Sequence, residues 1–240
     1  MPGLYKDEGI VLKTIKLGEA DRIVTMFTHD NGKVRAVAKG IRKTRSRFGG
    51  RLEPFTRVSL VVHKGRNLDT ITSADILESF KVVRDELGRL SAAASLVEIV
   101  DKISPERERS VSVYGLLHAG LEAVAAYGAT TVVPAFVVKL LSLSGYHPQL
   151  GACAGCGRAE GLVAFSPALG GAACDSCWVD DGDALRLSVD RLRLLADLLV
   201  SEFGLRADTE STVELTQALR CYAEYHLERP LRSLRAHAAS

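Results

Sequence analysis

Apolar positions along this chain change their period once, near residue 80. In the first part they alternate. Val58, Leu60 and Val62 face one way while Arg57, Ser59 and His63 face the other, the pattern of a strand with one buried side. Two β-branched-rich runs precede it, Gly9–Leu17 and Arg22–Thr28, separated by Gly18-Glu19-Ala20-Asp21. His29-Asp30-Asn31-Gly32 follows, and Asn-Gly is the strongest short hairpin signal. Lys33–Lys39 is then a third strand and Phe55–His63 a fourth. Lys64-Gly65-Arg66-Asn67 turns the chain into a fifth, Leu68–Leu77. Five short strands with one long connection, Gly40 to Pro54, predict a Greek-key β-barrel of OB type. An SH3-like barrel is the rival, because strand count alone does not separate the two.

From Lys81 the period becomes helical. Leu87, Leu90, Ala94, Val97 and Val100 recur at intervals of three and four through Ile103, and Ser104-Pro105 ends the run. A second helix spans Val113–Tyr127 and stops near Gly128. A third spans Thr131–Ser144, with Pro134 in its first turn and Gly145 as the end signal. Ser188 caps a further helix with the stripe Val189, Leu192, Leu195, Leu199 and Phe203, ended by Gly204. The last helix runs from about Thr212 to Leu227. Beyond it the sequence breaks at Pro230 and adds three Arg with no acid after Glu228, which reads as a frayed basic terminus, with contact to nucleic acid as the alternative. The pattern predicts an α+β multidomain chain: an OB-type barrel over residues 1–80 and an α-helical domain over 81–240. A cysteine-rich insertion occupies 150–180 of the helical part.

Composition agrees with a folded protein, 47% apolar and 25% charged over 240 residues. No apolar run approaches the length of a membrane span, and MPGLYKDEGIV has no signal-peptide pattern, so a cytoplasmic location is expected. Charge changes the picture. The net is only +2, yet residues 1–80 hold fifteen Lys/Arg against nine Asp/Glu, and the remainder holds sixteen against twenty. The excess is densest between Asn31 and Leu52, where Lys33, Arg35, Lys39, Arg42, Lys43, Arg45, Arg47 and Arg51 meet no acidic residue. Lys33, Arg35 and Lys39 fall on one strand face, with Val34, Ala36 and Ala38 on the other. An anchored apolar row beside a cationic row suits the phosphates of a nucleic acid. The plain alternative is a solvated basic loop. Phe48, alone among these cations, is either a stacking platform for bases or a pin holding the loop to the barrel. The glycines there do not have P-loop spacing.

Cys153-Ala-Gly-Cys156 and Cys174-Asp-Ser-Cys177 are separated by 17 residues, the two-pair spacing of a four-cysteine zinc site. Gly155 and Gly157 allow each turn to bring backbone N–H groups onto the sulfurs, and the segment between the pairs suits a hairpin. Four protein ligands leave no open position, so the expected cofactor is one structural Zn²⁺ per chain. Asp180, Asp181 and Asp183 read as a solvated acidic loop, with a divalent-cation site for a nucleic-acid enzyme as the alternative. Cys221 reads as a small packing residue, and His118 as a satisfied histidine on an apolar helix. HExxH, GxSxG and GxGxxG motifs are absent, so no enzyme is expected.

These residues together resemble the RecO family. The resemblance lies in Glu8-Gly-Ile-Val-Leu-Lys13, Gly18-Glu-Ala-Asp-Arg-Ile-Val24 and Gly32-Lys-Val-Arg-Ala-Val-Ala-Lys-Gly40, then in Arg47-Phe-Gly-Gly50 and Leu52-Glu-Pro-Phe-Thr56. It continues through Lys139-Leu-Leu-Ser-Leu-Ser-Gly-Tyr146, both cysteine pairs and Arg229-Pro-Leu-Arg-Ser. It implies a cytoplasmic, nucleoid-associated bacterial recombination mediator of the RecF pathway that binds single- and double-stranded DNA and anneals complementary strands. It also implies help in loading RecA onto DNA coated by single-strand-binding protein, with RecR and the acidic C-terminal tail of that protein as partners. Lys139 is the candidate cation for the tail. The competing readings are an RNA-binding module of OB fold and zinc ribbon, and a protein-interaction scaffold.

Overall fold

The computed structural model describes residues 3–180 and 182–238. Five strands come first: β1 (Leu4–Leu17), β2 (Asp21–Thr28), β3 (Gly32–Ala38), β4 (Arg57–His63) and β5 (Asp69–Glu78). They close into a barrel in the order β1-β2-β3-β5-β4, with β4 returning to β1. β3 and β5 pair in parallel, Ala36 opposite Asp69, while the other pairings are antiparallel. This crossover is the OB arrangement, and it separates the barrel from its SH3-like rival. β1 serves two neighbours, pairing with β4 over Leu4–Ile10 and with β2 over Gly9–Leu17, and a bulge between Val11 and Lys13 bends it.

Inside the barrel lie Val11, Val24, Met26, Ala36, Val58, Leu60, Val62 and Ile71, as the alternation predicts. Two side chains come from the long connection instead. Phe48 and Leu52 are each 1% exposed and fill the barrel from one end. The β2–β3 hairpin is not a two-residue Asn-Gly turn. His29, Asp30 and Asn31 form a three-residue loop, and Gly32 alone takes the left-handed conformation at φ 62. Gly32 answers a second demand, since a Cβ there would lie 1.8 Å from the Glu108 carbonyl oxygen. Only glycine lets the helical part approach at this point.

The helices are α1 (Lys81–Asp85), α2 (Leu87–Ile103), α3 (Val111–Tyr127), α4 (Val132–Leu143), α5 (Val189–Val200), α6 (Thr209–Leu227) and α7 (Arg232–Ala238). α4 is buried on almost every side and forms the centre of the bundle. The Ser188 cap forms as expected, accepting from the Arg191 N–H, and α6 begins earlier than its apolar stripe because Asp208 caps it through Ser211. The terminus after Pro230 is not frayed. Leu231 and Leu234 are buried, and the Glu98 carboxylate accepts the N–H groups of Arg232 and Ser233 at 3.2 and 2.7 Å, which starts α7. Among the described residues no helix is long and apolar enough to cross a membrane.

Between α4 and α5 the chain forms a small sheet of β6 (Leu162–Ser166), β7 (Gly171–Cys174) and β8 (Leu185–Arg186), in the order β7-β6-β8. Phe165 stacks on Tyr222 of α6 at 5.2 Å, so the apolar core runs continuously from this sheet into the bundle. The barrel joins the same core through Ile10, Leu12, Phe27 and Phe55. Polar ties reinforce the contact. Glu8 accepts from Arg57 and from the Tyr114 hydroxyl of α3, and Arg107 pairs with the buried Asp69 at 2.9 Å.

Candidate nucleic-acid interface and metal centre

The connection from Gly40 to Pro54 forms no regular element; it is a series of turns held by the two apolar pins. Phe48 packs into the barrel and offers no ring face to a base, which resolves its two readings in favour of the pin. The Arg47 guanidinium covers it at 4.9 Å. With the pins pointing in, the cations point out. Lys39, Arg42, Lys43, Arg45 and Arg47 are exposed and Arg51 partly so. Arg42 is steadied by the Gly18 carbonyl at 3.1 Å and Arg51 by the Arg47 carbonyl at 2.7 Å. Among the described residues none of these six has a carboxylate within ion-pair distance. The connection is therefore a fixed field of positive charge.

Lys33 and Arg35 part company with that group. Both side chains leave β3 on the outer face of the barrel, as the alternation predicts, but that face meets the end of α2. Lys33 is 8% exposed, and its ammonium donates to the Asp101 carbonyl at 2.6 Å with the Asp101 carboxylate 3.8 Å away. Burial holds its pKa below the ordinary lysine value. Arg35 is exposed beside Glu106 at 3.7 Å. The strand register adds residues that the basic-run reading missed: Lys13 stands opposite Thr25, and Thr25 opposite Arg35. Counting pairs back from Gly32 opposite Thr28 would have found Thr25; Lys13 depends on the separate β1–β2 register, which is shifted by the bulge beside it.

The four cysteines converge, their sulfurs all lying within 4.8 Å of one another. Cys156 and Cys174 sulfurs are 3.7 Å apart, close to the separation of about 3.8 Å that a tetrahedral centre with bonds of about 2.3 Å requires. The Cys174 N–H donates to the Cys153 sulfur at 3.4 Å. This bond, with those from Cys156 and Gly155, brings the Cys153 thiol down to about 6. Its crowded neighbour Cys177, hydrogen-bonded to Cys156, Cys174 and Cys153, is pushed up to about 12. Such a set ionises fully only around a cation, so it can hold a metal ion. A side chain at Gly155 would meet the Cys177 sulfur at 3.3 Å, which explains that glycine. Gly157 differs from expectation: its N–H goes to the Cys153 carbonyl, and its contribution is a φ of 78.

Other candidate positions serve the framework. His118 is bonded to Glu78 at 2.7 Å and tied more loosely to Glu122, joining the end of β5 to α3. Asp180 accepts from the Gly182 N–H at 3.4 Å, while Asp181 lies outside the described residues. Lys139 lines a pocket of about 540 Å³ together with Tyr127, Val200, Phe203 and two carboxylates, Glu122 and Glu202. Its ammonium donates to the Leu199 and Ser201 carbonyls at the end of α5, and burial lowers its pKa.

Two family models cover the chain, the Recombination protein O N terminal over residues 1–80 and the Recombination protein O C terminal over residues 84–235. The chain is 40% identical over 236 residues to the DNA repair protein RecO of Bifidobacterium longum subsp. infantis, covering 97% of this chain and 98% of that protein. It is 42% identical over 240 residues to its counterpart in Nocardioides sp., covering 96% and 98%. A third relative, the DNA repair protein RecO of Thermobifida fusca, is 38% identical over 239 residues, with 97% of each chain covered. With both halves matched in order along one OB barrel and one helical body, the chain belongs to the RecO family of DNA repair proteins.

Proposed function

We propose that this protein is a recombination mediator that binds single- and double-stranded DNA, anneals complementary strands and assists RecA loading onto strands coated by single-strand-binding protein. The observation that carries the reading is the connection from Gly40 to Pro54. It is pinned by Phe48 and Leu52 and presents Lys39, Arg42, Lys43, Arg45, Arg47 and Arg51 with no ion-pairing carboxylate among the described residues. A fixed cationic field can neutralise the backbones of two strands at once and so remove the repulsion that opposes pairing. No bond is made or broken by the protein in this role.

The labour divides along the chain. Residues 1–80 hold the DNA; residues 81–240 receive protein partners, including RecR. The 150–180 insertion binds one structural Zn²⁺ through Cys153, Cys156, Cys174 and Cys177, whose sulfur spacing suits it. The pocket at Lys139 is the candidate seat for the acidic tail of single-strand-binding protein: Phe203 and Val200 offer apolar contact, and the third N–H of the lysine remains for a carboxylate, which would have to approach past Glu122 and Glu202 on the same lining. The protein works in the cytoplasm, at the nucleoid. Parallel titrations with DNA and RNA oligonucleotides of one sequence, followed by annealing of complementary DNA strands, test the reading. Accelerated pairing of DNA supports it; binding confined to RNA, or binding without annealing, would reject it.

A further inference from the structure

Thr25 lies in the middle of β2, 1% exposed, and its hydroxyl has no hydrogen-bond partner among the described residues. Buried hydroxyls in folded proteins nearly always find one. The side chain faces a cleft of about 240 Å³ between the outer face of β1–β3 and the end of α2. Around that cleft stand five cations, Lys13, Lys33, Arg35, Lys102 and Arg229, against two carboxylates, Asp101 and Glu106. Asp101 is already engaged by Lys13 and Lys33, and Glu106 stands 3.7 Å from Arg35. The groups left over are donors: the Thr25 hydroxyl, the remaining N–H groups of Lys33, and the guanidinium of Arg229, which gives one long bond of 3.5 Å to the Lys102 carbonyl. A surplus of positive charge around a buried, unused donor calls for a compact anion with several acceptor oxygens.

We propose that this cleft is a binding site for a single phosphate group, held by Thr25, Lys33 and Arg35 from the barrel and by Arg229 from the segment between α6 and α7. A phosphate there has acceptors for all four side chains and offsets the excess charge. Because the donors come from both parts of the chain, its binding ties the barrel to the helical body. The site does not depend on strand annealing, and it adds residues beyond the Gly40–Pro54 connection. The same chemistry is offered by free orthophosphate, by the terminal phosphate of a nucleic-acid strand and by a phosphodiester within one.

The test uses the full chain and two variants. Thr25→Val keeps the shape and removes an unpaired hydroxyl, so its stability in phosphate-free buffer stays equal to the parent or rises. Arg229→Gln changes an exposed residue. Calorimetric titration with orthophosphate at fixed ionic strength is expected to show one saturable site, weakened about tenfold by Thr25→Val, the share of one hydrogen bond to a charged acceptor, and weakened likewise by Arg229→Gln. Oligonucleotides of one sequence with a 5′-phosphate or a 5′-hydroxyl then name the source. A preference for the phosphorylated end that Thr25→Val abolishes identifies a terminal phosphate. Equal weakening of both identifies an internal phosphodiester, and an effect on orthophosphate alone identifies the free ion. If orthophosphate shows no saturable binding and neither variant alters oligonucleotide affinity, the cleft holds only water and the proposal is overturned. Loss of annealing with phosphate binding intact would reject the mediator reading and leave this site standing.

Discussion

Replacing Lys43, Arg45 and Arg47 together with Gln removes three exposed cations from the connection while leaving its pins in place. None of the three supports an ion pair among the described residues, and only the contact of Arg47 with the Phe48 ring is lost, so stability to urea is expected to fall by no more than about 1 kcal/mol. Affinity for a single strand is expected to fall, and to fall in a particular way. Each phosphate neutralised contributes about 0.7 to the slope of log affinity against log salt. Three lost contacts therefore flatten the slope by about 2. Between about 50 and about 200 mM salt, the variant should lose roughly twentyfold less affinity than the parent. Fluorescence anisotropy with one labelled oligonucleotide across that range reads the slope directly. Arg193→Gln, an exposed cation on α5, serves as the control and is expected to leave the slope unchanged. A triple variant with the parent's slope, or a control that flattens it equally, would refute the assignment of DNA to this connection.

Phe48→Ala is expected to destabilise the barrel by about 3–5 kcal/mol, the usual cost of emptying a buried aromatic site; urea unfolding measures it, and a loss below about 1 kcal/mol would mean the ring is no pin. Burial alone would raise the Asp69 carboxyl, but bonds from the Tyr5 hydroxyl, the Gly65 N–H and Arg107 hold it below its ordinary 3.8. Its stabilising share is therefore complete above that value and lost as pH falls through the lower folded-state pKa. Asp69→Asn should cost about 2 kcal/mol at neutral pH and show a smaller acid-dependent loss below pH 3.8, followed by unfolding at stepped pH. Metal analysis of the purified protein should give about one zinc per chain, and a chelator should lower the melting temperature; metal-free protein with an unchanged melting curve would contradict a structural centre.

What could be read in the sequence followed from short-range periodicity and spacing. Val58, Leu60 and Val62 announce β4 because only one side of that strand is buried, and the two C-x-x-C turns announce their cluster because each fixes two sulfurs locally. What escaped depended on partners far along the chain. Lys33 looks like an outward cation until Asp101, 68 residues away, comes to meet it. α7 reads as a loose tail because its starting cap, Glu98, lies on α2 rather than beside it. Phe48 allowed two readings because nothing nearby in sequence says that the barrel end is open and needs filling. The Asn31-Gly32 signal gave the hairpin but did not specify its three-residue loop, His29 to Asn31. Gly32 is held by the hairpin and by the Glu108 carbonyl together, and the second constraint comes from another element.

The most direct test is annealing of complementary DNA strands already coated with single-strand-binding protein, comparing the parent with the Lys43, Arg45 and Arg47 triple variant. The parent is expected to accelerate pairing on coated strands, with the rate falling as salt rises, and the variant is expected to lose most of that acceleration. A parent that binds DNA yet leaves coated strands unpaired, or a variant that anneals as fast as the parent, would contradict the mediator role assigned to the barrel's basic connection.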